Sequence, residues 1–241
     1  MAATITAPAA PAGREYRGFT VGDFARMLAE DVLSPAEDCE LLGGALFARG
    51  DPYRFSVAQY ERMETLGILT DPMELLEGVL VPRPGVLVPS PPMNPPHAVP
   101  LQRLWKRLFG MTPSGWTVRV QMDVALLTSR PLPDTSVARG GDDDYERRHP
   151  GPNDLGLVVE VSDSTLAYDQ GAKADLYAAA GIVCYWVINL IDLQVEVMTG
   201  PSATGYTRRE VHRPGRSVPF VLDGHAVGVI AVEDMLPPPA A

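Results

Sequence analysis

Glu160 interrupts an otherwise apolar run, Leu-Gly-Leu-Val-Val-Glu-Val over residues 155–161. An ionised carboxylate in such a setting is costly unless it is paired, hydrogen-bonded or bound to a cation. Two readings follow: a residue at the exposed end of a strand with a backbone or arginine partner, or a site carboxylate. Lys173 is a second anomaly, because helical spacing puts it on one face with Leu176, Tyr177 and Ala180, the face that should cover a sheet. Such a lysine snorkels outward, pairs with Asp169 one turn earlier, or reaches a carboxylate on the strand beneath. Asp134 follows Pro133, which reads either as a turn pair or as a second acid entering a strand. Paired carboxylates and a lysine are the side chains that hold a hard cation and steady a developing negative charge.

Other candidates carry less. Glu77 lies beside Gly78 and reads most simply as a solvent-facing charge next to a turn. His97 either lines a site beneath a proline-rich loop or opens a surface helix. Three adjacent acids, Asp142 to Asp144, cannot all converge on one ion, so they read as a solvated loop. The chain has no Walker-type glycine loop, no His-Glu-x-x-His, no Gly-x-Ser-x-Gly and no Cys/His zinc pattern.

The elements that must position these residues follow from periodicity. Leu155–Val161 is the pattern of a strand buried on both faces. Asp169–Ala180 is a helix that ends at Gly181, and Ile182–Ile188 is a further buried strand. Leu101, Leu104, Trp105 and Leu108 mark a helix over His97–Phe109, after a proline-rich loop, Pro89–Pro96. Trp116–Leu127 and Pro133–Ala138 read as strands, Gly140–Asn153 as an exposed loop, and Gln194–Met198, Gly205–Val211 and Val218–Ile230 as a β-rich end. Met73–Val81 reads as one strand with Val86–Val88 as a possible partner. Strands alternating with helices predict an α/β or α+β core.

Before that core comes a repeat. Phe19, Val21, Arg26 and Met27 recur as Phe55, Val57, Arg62 and Met63 at an offset of 36, and Glu40, Leu41, Leu42 and Gly44 recur as Glu74, Leu75, Leu76 and Gly78 at an offset of 34. Each copy predicts a short helix capped by Thr20 or Ser56 and then an E-L-L-x-G hairpin. Position 77 of the second copy corresponds to Gly43 in the first, so the first copy, residues 18–51, is expected to be a non-catalytic arm packed on its own chain or across a dimer. Residues 1–17, rich in Ala, Pro and Gly, are expected to be a disordered tail.

At 241 residues the chain can bury one sizeable core. Twenty basic against 30 acidic residues give a net charge of −10, which argues against non-specific coating of nucleic acid but not against one local site for it. Two distant cysteines and no signal-like N-terminus predict a reduced, cytoplasmic protein. The apolar run Leu176–Ile191 has 16 residues, short of the ~20 that a spanning helix needs, so no membrane association is expected.

Five segments together resemble the Uma-two branch of the PD-(D/E)XK nuclease superfamily: E-L-L-E-G-V-L (74–80), S-P-P-M-N-P-P-H (90–97), L-P-D-T-S-V (132–137), L-V-V-E-V-S-D-S-T (157–165) and Y-D-Q-G-A-K-A-D-L-Y-A-A-A-G-I-V-C-Y-W-V-I-N (168–189). The resemblance covers residues 54–236 and implies a restriction-endonuclease-like mixed central sheet flanked by helices, with the N-terminal helix–hairpin as an extension. It implies that Asp134 and Glu160 ligate Mg²⁺ (Mn²⁺ substituting), with the Val161 carbonyl as the third protein oxygen. It assigns Lys173 as the catalytic lysine and Glu77 as an accessory acid. The superfamily's usual lysine stands two residues after the acid, where this chain has Ser162, so Lys173 on the next helix takes that place. The implied activity is metal-dependent hydrolysis of a phosphodiester, with the substrate open between DNA, RNA and a smaller molecule, any nucleic acid being bound locally and weakly. Separately, a homo-oligomer, a homodimer first, is expected. A catalytically weak or inactive binding or regulatory module is the alternative. Arg103, Lys106, Arg107, Arg147 and Arg148 are the candidate phosphate contacts.

Overall fold

The computed structural model describes residues 18–42, 44–49, 51–70, 72–82 and 95–237. The expected disordered tail, the strand at Val86–Val88, most of the proline-rich loop and Gly43 lie outside the described residues, as does the side chain of His97. The chain divides into two compact units, one of residues 1–91 with 127–131, the other of residues 92–126 with 132–241.

In the first unit the two copies fold alike. Helix α1 (Val21–Ala29) is followed by the strands β1 (Cys39–Leu42), β2 (Ala45–Ala48) and the short β3 (Asp51–Pro52). Helix α2 (Val57–Thr65) is followed by β4 (Met73–Leu76) and β5 (Val79–Pro82). Thr20 and Ser56 cap the two helices, each in a reciprocal box with Asp23 or Gln59, so the orphan amides of the first turn are satisfied the same way twice. The Phe19 amide donates to the Gly44 carbonyl at 2.8 Å, and the Phe55 amide donates to the Gly78 carbonyl at 2.8 Å.

Met73–Val81 is therefore not one strand. It folds back at Glu77–Gly78, pairing Leu76 with Val79. Gly44 (φ +84°) and Gly78 (φ +80°) occupy the same left-handed turn position, and a Cβ on Gly78 would stand 2.8 Å from that of Arg54. Met27, Val32, Leu33 and Leu46 of the first copy share one buried cluster with Tyr60, Met63, Met73 and Leu75 of the second. Of the two placements expected for the first copy, the structure has it packed on its own chain.

A segment from later in the sequence completes this unit. Arg130 bridges to Leu75, its buried guanidinium pairs with Glu61, and Ser129 Oγ accepts from the Glu77 amide at 2.8 Å.

The second unit is built on a six-stranded mixed sheet. Its elements are α3 (Pro95–Met111), β6 (Trp116–Val120), β7 (Thr135–Arg139), β8 (Leu155–Ser162), α4 (Leu166–Tyr168), a π-helical turn (Asp169–Lys173), α5 (Ala174–Ala179), β9 (Cys184–Asn189), β10 (Gln194–Ser202), β11 (Gly205–His212), β12 (Ser217–Leu222) and β13 (His225–Ala231). The sheet order is β11-β10-β9-β8-β7-β6, with β8 and β9 parallel and every other neighbour antiparallel. This is a mixed α+β architecture. Parallel pairing requires a crossover, and the α4–π–α5 segment supplies it.

One face of the sheet, with Val159, Val161, Trp186 and Ile188, packs against Leu101, Leu104 and Leu108 of α3 and Phe220 of the β12–β13 ribbon. The other face, with Val158, Tyr185 and Val187, packs against Ala174 and Tyr177 of α5. Strand alternation places Glu160 on this second face, beneath the crossover. Among the described residues no helix is long and apolar enough to cross a membrane; Leu176–Ile191 instead spans α5 and the central strand β9.

The remaining sequence expectations hold with shifted ends. The strand from Trp116 stops at Val120, because Gln121 takes φ +48°, and does not run on to Leu127. The acidic stretch Asp142–Tyr145 is a 3₁₀ turn rather than plain loop. Its acids are exposed, and Tyr145 folds inward under the guanidinium groups of Arg119 and Arg148.

Candidate functional site

Glu160 interrupts the apolar run of β8 near its C-terminal end, and the crossover returns over it because β9 must lie parallel beside β8. That topology brings Lys173, the last residue of the π turn, back to the carboxylate: Lys173 Nζ donates to Glu160 Oε1 at 2.7 Å. Both side chains are buried. Tyr177 Oη, one turn further on, donates to the same oxygen at 3.0 Å. Asp134 enters from the residue before β7. Its Oδ2 accepts from the Val161 amide at 2.8 Å, and its own amide donates to Glu160 Oε2 at 3.4 Å. Asp134, Glu160, Val161 and Lys173 are therefore brought together at the C-terminal end of β8.

Electrostatics sharpen the picture. Burial pushes the Glu160 carboxyl up to about 8, the nearby Lys173 ammonium works against that rise, and the carboxylates of Asp134 and Asp169 add to it. The group therefore holds its proton more firmly than an ordinary glutamate even with the Lys173 ammonium beside it.

Glu77 is in the first unit, exposed, at φ +49° in the β4–β5 turn. The buried acid of that hairpin is Glu74, whereas its counterpart Glu40 in the first copy is exposed.

Sequence reasoning passed over Asp169 as a site residue. It is buried at the start of the π turn, and its Oδ2 accepts from Ser162 Oγ at 2.9 Å and from Thr165 Oγ1 at 2.5 Å. Ser162 thus ties the crossover to β8. A π turn packs one extra residue into the helix, and such turns recur at functional sites. Its signal in the sequence was Asp169 and Lys173 at i and i+4 on a face otherwise apolar.

A second buried acid was also missed. Glu196 of β10 is fully buried; its Oε1 accepts from Gln170 (2.8 Å), Asn189 (3.1 Å) and Gln194 (3.0 Å), and its Oε2 accepts from Arg209 at 2.6 Å. Gln170 belongs to the π turn, so β10 anchors the crossover from the other side. The alternation Gln194, Glu196, Met198 marks the strand face, but nothing in one sequence says that its donors would come from three other elements.

The oxygen-only set of Asp134, Glu160 and the Val161 carbonyl fits a hard divalent cation that keeps several waters. Among the described residues no three His, Cys, Asp or Glu side chains are grouped to hold a metal.

The comparisons bear on the fold and the family of the chain. A putative nuclease belonging to DUF820 from Anabaena variabilis has a solved structure that matches with a TM-score of 0.50 and 13% identity, over 69% of this chain and 90% of that one, which is a likeness of fold. No curated protein matches the sequence. The family model described as "Putative restriction endonuclease" matches residues 58–226, more than half of the chain, and takes in Asp134, Glu160 and Lys173. The chain belongs to that family, Uma2.

Proposed function

We propose that the protein is a divalent-metal-dependent nuclease whose site is Asp134, Glu160 and Lys173. The observation that carries the reading is the buried Lys173–Glu160 pair beside Asp134 at the end of β8, in a chain of nuclease-family membership. A bare structural role would not require a lysine and a glutamate to be buried together; well-packed apolar residues are as stable there.

Each residue has a distinct task. Asp134 and Glu160, with the Val161 carbonyl, would hold Mg²⁺ or Mn²⁺. When bound, the ion offsets phosphodiester charge and lowers the pKa of water. Tyr177 fixes the Glu160 carboxylate from one side, and the Val161 amide fixes Asp134. Lys173, which donates to Glu160, would orient the attacking water and stabilise negative charge gathering on the phosphoryl oxygens. Burial strengthens both interactions by excluding competing solvent. One such site cuts one strand, so we take a homodimer as the assembly acting on duplex DNA.

The test is a cleavage panel of supercoiled and linear duplex DNA, single strands and RNA with Mg²⁺ or Mn²⁺. Metal-dependent cleavage that is lost in Lys173→Ala is expected. Cleavage that survives in Lys173→Ala, or no cleavage of any substrate by the wild type, refutes the assignment.

A further inference from the structure

We propose that the edge strand β11 and the turn after it form a docking surface for the phosphate backbone of double-stranded DNA. This rests on the nuclease reading and adds where its substrate lies. Residues 205–216 carry Arg208, Arg209, Arg213 and Arg216 against Glu210 alone, in a chain with 30 acidic and 20 basic residues. All four arginines are exposed. Arg208, Arg213 and Arg216 make no side-chain ion pair among the described residues. Four of the five charges on this segment are positive, against the acidic balance of the chain as a whole.

The placement is as telling as the charge. Sheet register aligns Ser162 with Asn189, Asn189 with Gln194 and Val195 with His212, so the Arg213–Arg216 turn stands at the same end of the sheet as Glu160. From β8 to β11 is three strand spacings, about 14 Å, which a duplex covers in about four base pairs. Arg209 ties this edge to the site: it pairs with Glu196, which also receives Gln170 of the lysine-bearing turn. Of the basic residues that the sequence alone suggested, Arg107 pairs with Asp234, Arg148 with Asp154, and Arg103 donates to the Leu236 carbonyl.

The experiment is fluorescence anisotropy with a labelled DNA duplex of about 30 base pairs in EDTA, across a salt series. R208A/R213A/R216A should weaken binding by about tenfold or more near 0.1 M salt and lower the salt slope by about 2 to 3. The corresponding triple lysine variant should keep most of the affinity, since a point charge suffices for phosphate. An unchanged affinity and slope in the alanine variant, no duplex binding by the wild type, or tighter binding of duplex RNA than of DNA overturns the surface. Cleavage is scored separately. Wild-type cleavage with arginine-independent binding removes the surface and keeps the nuclease; arginine-dependent binding without metal-dependent cleavage removes the nuclease and keeps the surface.

Discussion

Ser162 Oγ donates to Asp169 Oδ2 across 2.9 Å, joining the end of β8 to the first residue of the π turn whose last residue is Lys173. The serine stands two residues after Glu160, the position at which the resemblance noted in the sequence leads one to expect a lysine. In this chain that position holds the crossover, and the crossover delivers the ammonium. The distance from strand to lysine is thus set by a hydrogen bond and one extra residue in a helix rather than by strand alternation.

Cutting that tie should be felt at the lysine first. Ser162→Ala removes one of the two hydroxyl donors to the buried Asp169 carboxylate, at a cost of about 1–3 kcal/mol. Cleavage should fall while Mn²⁺ affinity, read by calorimetry, stays within a few-fold of wild type. Equal loss of both would mean that Ser162 supports the acids and not the lysine.

Metal binding should depend on both carboxylates. Glu160→Ala and Asp134→Ala should each remove most Mn²⁺ affinity, whereas Lys173→Ala should preserve it or raise it by deleting a neighbouring positive charge. Calorimetric isotherms that coincide for wild type and Glu160→Ala would remove the metal assignment.

The pH dependence follows from the raised Glu160 carboxyl. Binding a cation requires the deprotonated form, so Mn²⁺ affinity should rise with pH and level off near 8, the value to which burial pushes the group. Each unit below that costs up to about tenfold. For stability the sign is opposite. A carboxyl whose folded value lies above its ordinary one favours the fold most in acid, and that contribution is lost as pH climbs to about 8. Flat affinity between pH 6 and 8 would show that Glu160 is already ionised.

The buried pair itself can be weighed by a double-mutant cycle. Glu160→Ala alone strands a buried ammonium and should destabilise the protein by about 3–5 kcal/mol. Adding Lys173→Met should recover a large part of that in urea melts. Additive losses in the double variant would show that the two side chains are not coupled in solution.

The β4–β5 turn offers a separate test. Glu77 holds φ +49° where the first copy has Gly43, so Glu77→Gly should raise stability by about 1 kcal/mol. Gly78→Ala should do the reverse and by more, because its new Cβ would press on Arg54. A loss of cleavage alongside the stability gain in Glu77→Gly would support the accessory-acid role expected of Glu77.

Much of this molecule is written in local pattern. The buried strand β8, the helix end at Gly181, both capping boxes and the helix–hairpin repeat are each legible because their causes act within a few residues: apolar continuity, a left-handed glycine, a hydroxyl three residues before its partner. The oddity of Glu160 and Lys173 was legible for the same reason, since each breaks a pattern that its own neighbours establish. What required the tertiary structure is everything that depends on which strands become neighbours. That Asp134 meets the Val161 amide follows from antiparallel pairing of β7 with β8. That Lys173 meets Glu160 follows from the parallel pairing of β8 with β9. That Glu196 is satisfied by donors from the π turn, β9 and β11 follows from sheet order. The acid that the E-L-L-E-G motif buries, Glu74 and not Glu77, was likewise decided in three dimensions, where the chain reverses at Glu77–Gly78. Side chains near in space but distant in sequence leave no periodic trace, so one sequence could single out the chemistry-bearing residues but not the contacts that hold them.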